Sequence, residues 1–122
     1  MSKILVCEDQ DSIRKMIQAL VSARGHEVIA ATNGAQAIEL AVSDPPALAL
    51  LDLTMPGEFD GFEVCRRLRA NEATQAIPIV IVTALDDEAS RTTAKEAGAS
   101  AYFTKPFSPM GLLGEIQKHL AS

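Results

Sequence analysis

Five short apolar runs alternate with five helix-length segments along this chain, and that alternation constrains its fold more than any other feature. The runs are Ile4 to Cys7, Val28 to Ala31, Ala47 to Leu51, Ile77 to Val82 and Ala101 to Phe103. They are short and apolar on both faces, which is the pattern of strands buried inside a parallel sheet. Strict alternation with helices predicts an α/β architecture with helices on both faces of that sheet.

The first helical segment carries Ile13, Met16, Ile17, Leu20 and Val21 on one stripe and stops near Gly25. A second, Ala35 to Val42, ends at Asp44-Pro45-Pro46, because a residue before proline avoids the α region. A third runs from about Asp60 to Ala70 and is expected to bury Phe62, Val64, Cys65 and Leu68. A fourth, about Asp87 to Ala97, offers only alanines to a core and stops at Gly98. The fifth covers Pro109 to Leu120, with Met110, Leu112 and Leu113 expected to help anchor it. No repeat, linker or low-complexity tract interrupts the order, and residues 1–122 read as a single domain.

Aromatic residues make up 4% of the chain and tryptophan is absent, so the core is expected to be aliphatic. The net charge of −5 argues against direct binding of nucleic acid through phosphate contacts. Arg66, Arg67 and Arg69 read as a solvated helix face. Cys7 sits in an apolar run and reads as a small buried hydrophobe, and neither it nor Cys65 has the spacing of a zinc or disulfide pair. No stretch is long and apolar enough to span a membrane, and the start does not resemble a signal peptide. A reducing cytoplasm is the expected location.

In doubly wound folds ligands bind at the carboxyl ends of the strands. Here the first run ends in Glu8-Asp9, the third in Asp52 and the fourth in Thr83-Ala84, and the fifth is followed by Thr104-Lys105-Pro106. Three converging carboxylates repel one another unless a cation sits among them. Oxygen ligands without histidine or thiolate suit a hard ion, Mg²⁺ above all. Each residue alone has a plainer reading. Asp52 could cap a turn, Asp11 or Ser12 could cap the first helix, Thr83 or Asp86 could cap the fourth, and Lys105 could be an ordinary surface lysine. It is the conjunction at four strand ends that points to phosphoryl chemistry at a carboxylate.

The segments KILVCEDQ, ALALLDLTMPGEFDGFEVCRRLR, IPIVIVTALDD and EAGASAYFTKPF, in this order, resemble the receiver (CheY-like) domain of two-component response regulators over the whole chain. The resemblance implies a flavodoxin-like, doubly wound five-stranded parallel sheet in the order 2-1-3-4-5 with five helices. It implies that Asp52 is the phosphoacceptor. It also implies that Asp9 binds Mg²⁺ directly, Glu8 through water, and Thr54 through its backbone carbonyl. Thr83 matches the switch hydroxyl and Lys105 the lysine that pairs with a phosphoryl oxygen. Pro106 matches a proline with a cis peptide bond, and Tyr102 the aromatic that moves inward on activation. Ala84, being small, would leave the site open to a donor. The implied donor is a sensor histidine kinase or histidine phosphotransfer protein, and the target a downstream protein or an output domain outside this chain. Such a domain is a switch that catalyses only its own phosphotransfer and dephosphorylation. The signal is expected to leave through the fourth helix, the fifth strand and the fifth helix. The donor is expected to dock near Ile13, Pro106 and Phe107, although Ile13 could equally be core.

Three departures from the family pattern stand out. The acidic pair is Glu8-Asp9 in place of the commoner Asp-Asp. The MPGEFDG loop is one residue longer than usual, adding Glu58 or Phe59 near the expected site. Ser100-Ala101 replaces an acidic pair before Tyr102. The competing readings are a degenerate receiver that binds without phosphorylation, a haloacid-dehalogenase-type phosphatase, and a flavin-mononucleotide binder. The phosphatase would want an acid at position 54, and the flavin binder a phosphate-cradling loop in place of Glu8-Asp9-Gln10-Asp11. His26 and His119 fall outside the strand ends and read as surface residues.

Overall fold

The computed structural model describes residues 2–120; the expected domain limits, residues 1 and 122, lie outside them. The strands are β1 (Lys3–Cys7), β2 (Glu27–Ala31), β3 (Leu48–Leu51), β4 (Ile79–Thr83) and β5 (Ala101–Thr104). The helices are α1 (Asp11–Ser22), α2 (Gly34–Ser43), α3 (Gly61–Ala70), α4 (Glu88–Ala97) and α5 (Pro109–Leu120). All strand pairs are parallel and the order is β2-β1-β3-β4-β5, as the resemblance implied.

Successive strand residues point to opposite faces of the sheet, so each buried strand feeds two cores. Leu5, Cys7, Ala49, Leu51, Ile79 and Ile81 face α2, α3 and α4, meeting Ala37, Ala41, Val64, Leu68 and Ala94. Ile4, Val6, Leu48, Leu50, Val80 and Val82 face α1 and α5, meeting Ile17, Val21, Leu112 and Ile116. This double burial explains why the strands lack polar alternation. α4 buries only Ala94 and Ala97, and its turn is closed by Gly98 at φ 109°, a left-handed conformation that suits glycine.

Several expectations are corrected. The residue preceding α1 is Gln10, without a side-chain cap; Asp11 instead pairs with Arg14 at 2.5 Å, and Ser12 lies inside the helix. Asp87, not Thr83 or Asp86, caps α4, accepting the Ser90 amide at 2.9 Å; it alone immediately precedes the first turn. Met110 is 66% exposed, because it lies two positions from Leu112 and so on another side of the helix. Met16 is likewise exposed, and Phe62 is only half-buried. Arg69 is not part of a solvated face. Its guanidinium donates to the carbonyls of Gly98, Gln75 and Ile77, joining the end of α3 to the turn before β5 and to the segment before β4. His26 and His119 are both half-buried; His26 Nδ1 accepts the Ser2 amide at 3.1 Å. Among the described residues no helix is long and apolar enough to cross a membrane.

Candidate functional site

Register brings the strand ends together. Cys7 pairs with Leu51, so Glu8 and Asp52 leave the sheet side by side, and the Asp52 amide donates to the Cys7 carbonyl at 3.1 Å. Thr83 pairs with Thr104, and the Lys105 amide donates to the Thr83 carbonyl at 2.7 Å. The Lys105–Pro106 peptide bond is cis. The Asp52 backbone is pressed from the other side by the start of α3. A Cβ at Gly61 would stand 2.2 Å from the Asp52 carbonyl oxygen, so only glycine fits there.

One carboxylate oxygen each from Glu8, Asp9 and Asp52 lies within 4.8 Å of the others. Glu8 is 2% exposed and Asp52 6%, whereas Asp9 is open to solvent. Lys105 Nζ bridges the two buried acids, at 2.6 Å from Glu8 Oε1 and 3.0 Å from Asp52 Oδ2. Burial pushes the Glu8 carboxyl above its ordinary value. Hydrogen bonds from Lys105 and the Gln10 amide oppose that push, and the Asp52 charge adds to it. Burial pulls the Lys105 ammonium down, but its bonds to Glu8 and Asp52 and their charges outweigh this and leave it raised. Three carboxylates therefore face one ammonium. Among the described residues the group that could hold an ion is made of three carboxylates, and this donor set suits a hard divalent cation.

A cleft of about 220 Å³ opens over these groups, lined by Asp9, Gln10, Asp52, Thr54, Ala84 and Lys105. The Thr54 amide donates to Asp52 Oδ1 at 3.3 Å. Thr83 and Tyr102 do not line this cleft. Thr83 is fully buried, and its Oγ1 accepts the Leu85 amide at 3.3 Å. The Tyr102 hydroxyl donates to the Leu85 carbonyl at 2.7 Å. Glu58 and Phe59 do not line the cleft either. Phe59 packs against the core on the α2–α3 side, with the Arg67 guanidinium 4.0 Å above its ring.

Beside the cleft, Gln10, Ile13, Met16, Lys105, Pro106 and Phe107 line a mostly apolar hollow of about 530 Å³. Ile13 also packs against the α1–α5 core, so both of its readings describe part of its surroundings. Three contacts escaped the sequence reading. Gln10 donates its amide to Glu8 Oε2 at 3.1 Å, and Arg14 holds the Glu8 carbonyl at 3.0 Å. Cys7 Sγ lies 3.0 Å from Met55 Sδ in the loop between β3 and α3; burial first, then the nearby acids, pushes this thiol up to about 12. Nothing in the local pattern marks these positions.

Residues 4–117 match the response regulator receiver domain family. The chain is 41% identical to the probable transcriptional regulator ycf27 of Porphyridium aerugineum, over 97% of this chain and 48% of that protein. It thus spans about half the length, or less, of the curated relatives that head the comparison. The BeF3-activated N-terminal receiver domain of Klebsiella pneumoniae RstA superposes with a TM-score of 0.90 at 33% identity, covering 98% of this chain and 99% of that one. The receiver domain of the sensor histidine kinase PA1611 of Pseudomonas aeruginosa, solved with a magnesium ion in its active-site cleft, superposes at 0.91 with 29% identity, covering 99% and 98%.

Proposed function

The chain belongs to the response regulator receiver domain family of two-component signalling, and on that premise we propose that it is a switch thrown by phosphorylation of Asp52. The observation that carries the proposal is Asp52 at the floor of an open cleft, flanked by Glu8 and Asp9 and bonded to Lys105. Family membership sets aside the phosphatase and flavin-binding alternatives.

The proposed donor is a phosphohistidine of a sensor kinase or phosphotransfer protein. An Asp52 carboxylate oxygen attacks phosphorus, the O–P bond forms as the P–N bond breaks, and the departing imidazole takes a proton. Attack by an anion on an anionic phosphoryl group is opposed by charge, so positioning and neutralisation supply the catalysis. Bound Mg²⁺, held by Asp9, Asp52 and the Thr54 carbonyl with Glu8 acting through water, would supply the charge that one lysine cannot. Lys105 moves from its carboxylate partners to a phosphoryl oxygen. Ala84 leaves the approach open. The apolar hollow of Ile13, Met16, Pro106 and Phe107 receives the donor beside the cleft. Water later cleaves the acyl phosphate, so the domain catalyses only its own modification and its reversal.

The Thr83 hydroxyl turns from the Leu85 amide toward the phosphoryl group, and Tyr102 follows inward. The surface of α4, β5 and α5 then changes for a downstream target. That α4 moves is supported by its thin attachment through Ala94 and Ala97. A donor labelled with ³²P on histidine tests the transfer. Label should pass to the native chain and fail to pass to Asp52→Asn. Equal transfer to both would overturn the assignment, and transfer to neither would favour a degenerate, phosphorylation-independent module.

A further inference from the structure

Asp9 is carried on a three-residue turn, Glu8-Asp9-Gln10, between the end of β1 at Cys7 and the start of α1 at Asp11. Its side chain is open to solvent, and among the described residues no salt bridge engages it. Its place beside Glu8 and Asp52 is therefore set by the peptides on either side of it. After Asp9, the Gln10 amide donates to Glu8 Oε2 at 3.1 Å, and the Gln10 carbonyl accepts the Arg14 amide at 2.9 Å as the first bond of α1. Before Asp9, the Glu8 amide donates to the Ala31 carbonyl at 3.1 Å. The Glu8 carbonyl, past the last residue of β1, accepts from the Arg14 guanidinium at 3.0 Å. The Arg14 side chain is 13% exposed, and the other arm of its fork reaches Asp11 Oδ1 at 2.5 Å.

We infer that Arg14 is a positioning residue of the cation site: its guanidinium, held between the Glu8 carbonyl and Asp11, fixes the Glu8–Asp9 peptide and so keeps the Asp9 carboxylate where the acidic trio can share an ion. The inference rests on the reading of Asp9 as a Mg²⁺ ligand and adds to it a residue outside the trio.

Any residue at position 14 would supply the backbone bond to Gln10, so only the guanidinium is at issue. Without it the Glu8 carbonyl loses its partner and the peptide is free to rotate. Mg²⁺ demands near-ideal octahedral geometry, so a ligand on a loosened turn binds it less well. Charge alone argues the other way. Arg14 is a cation beside three carboxylates, and deleting it makes the site more negative, which favours a divalent cation. The two effects have opposite signs, so the direction of change in Mg²⁺ affinity separates a positioning role from an electrostatic one. Arg14→Met keeps the stem and removes the donors. Arg14→Lys keeps the charge but replaces the planar fork with a single ammonium, which cannot hold the carbonyl and Asp11 in the same way. Lys15→Met removes the same charge from the next residue, an exposed position of α1.

The test is calorimetric titration of the full chain with Mg²⁺, for the native sequence and these three variants, with urea denaturation to establish that each is folded. Arg14→Met should bind Mg²⁺ about ten-fold more weakly, the lower end of the loss seen when a group supporting a metal ligand is removed. Arg14→Lys should fall between it and the native chain. Lys15→Met should stay within about two-fold of the native chain, because solvent screens an exposed charge. With acetyl phosphate, the Mg²⁺ concentration for half-maximal phosphorylation should rise in Arg14→Met by the same factor as its loss of affinity, while the rate at saturating Mg²⁺ stays near native. Unchanged or tighter Mg²⁺ binding in Arg14→Met, with or without a loss of stability, would overturn the positioning role and leave the metal reading intact. If Arg14→Met does not fold, native affinity in Arg14→Lys would overturn it equally. No binding of Mg²⁺ by the native chain would instead overturn the metal reading, and the role of Arg14 with it.

Discussion

Lys105 Nζ lies 2.6 Å from Glu8 Oε1, a residue 97 positions away in sequence, and the same ammonium reaches Asp52 Oδ2 at 3.0 Å. The cation that would later hold a phosphoryl oxygen is therefore engaged, at rest, in neutralising two buried acids. Lys105→Met keeps the stem and deletes the charge, leaving Glu8 and Asp52 without that partner. It should lower stability of the Mg²⁺-free protein by about 1–3 kcal/mol, the range for losing hydrogen bonds to buried charged groups. Urea denaturation with and without Mg²⁺ checks this: added Mg²⁺ should recover much of the loss. A variant as stable as the native chain without metal would contradict it.

Asp9 is the exposed member of the acidic trio. Asp9→Asn removes one of three like charges, so it should raise the stability of the metal-free protein by up to about 1 kcal/mol, a modest gain because solvent screens an exposed group. It should also weaken Mg²⁺ binding. Thermal unfolding and titration calorimetry read the two effects, and they should oppose each other. A variant that is less stable and binds Mg²⁺ as well as the native chain would count against Asp9 as a ligand.

The raised carboxyl of Glu8 gives a pH signature. Its folded-state pKa lies above the ordinary 4.5, so the native state binds the proton more readily than the unfolded chain does. This group's contribution is thus fully favourable below 4.5 and is lost as pH rises through the folded value. Ionised Glu8 is the form that serves a cation, so Mg²⁺ affinity should fall as pH drops through the same window. Calorimetric titrations at acid and neutral pH should show that dependence, and Glu8→Gln should flatten it. Identical pH dependence in that variant would assign the effect elsewhere.

Gly61 and Asp52 are in backbone contact. A Cβ on Gly61 would fall 2.2 Å from the Asp52 carbonyl oxygen and 2.6 Å from Leu53 Cα, neither of which can swing aside. Gly61→Ala should cost about 1–3 kcal/mol, as overpacking does, and should slow phosphorylation of Asp52 by displacing it. Chemical denaturation and the rate of mass gain with a small phosphodonor read both; a variant unchanged in both would show that the contact is not a constraint.

Cys7 and Cys65 are both free and buried, and burial drives the Cys7 thiol to about 12. The thiolate is the reactive form. Neither cysteine should react with a disulfide reagent in the folded protein near neutral pH, and both should react in denaturant. Fast labelling of Cys7 in the native state would contradict its placement under the Met55 loop.

The sheet and the cleft were legible because their determinants are local. Each buried strand is a continuous apolar run, and its functional residue is the next one along, as Asp52 follows Leu51. The rest depends on contacts between distant segments. Arg69 lies in a charge cluster, yet it bonds to the Gly98 carbonyl 29 residues on, because the end of α3 abuts the turn before β5. Phe59 belongs to the lengthened loop, expected to place Glu58 or Phe59 near the site. It is instead drawn to the core face under Arg67, where an aromatic ring buries more surface. The Arg91 guanidinium over the Tyr102 ring joins a helix to a neighbouring strand, and no spacing rule reaches across that gap.

The most direct test of the account is the intact mass of the chain after incubation with acetyl phosphate, with and without Mg²⁺, for the native sequence and for Asp52→Asn. The account predicts a gain of one phosphoryl group in the native chain that requires Mg²⁺ and is absent from the variant. An equal gain in Asp52→Asn, or a gain that ignores Mg²⁺, would contradict it.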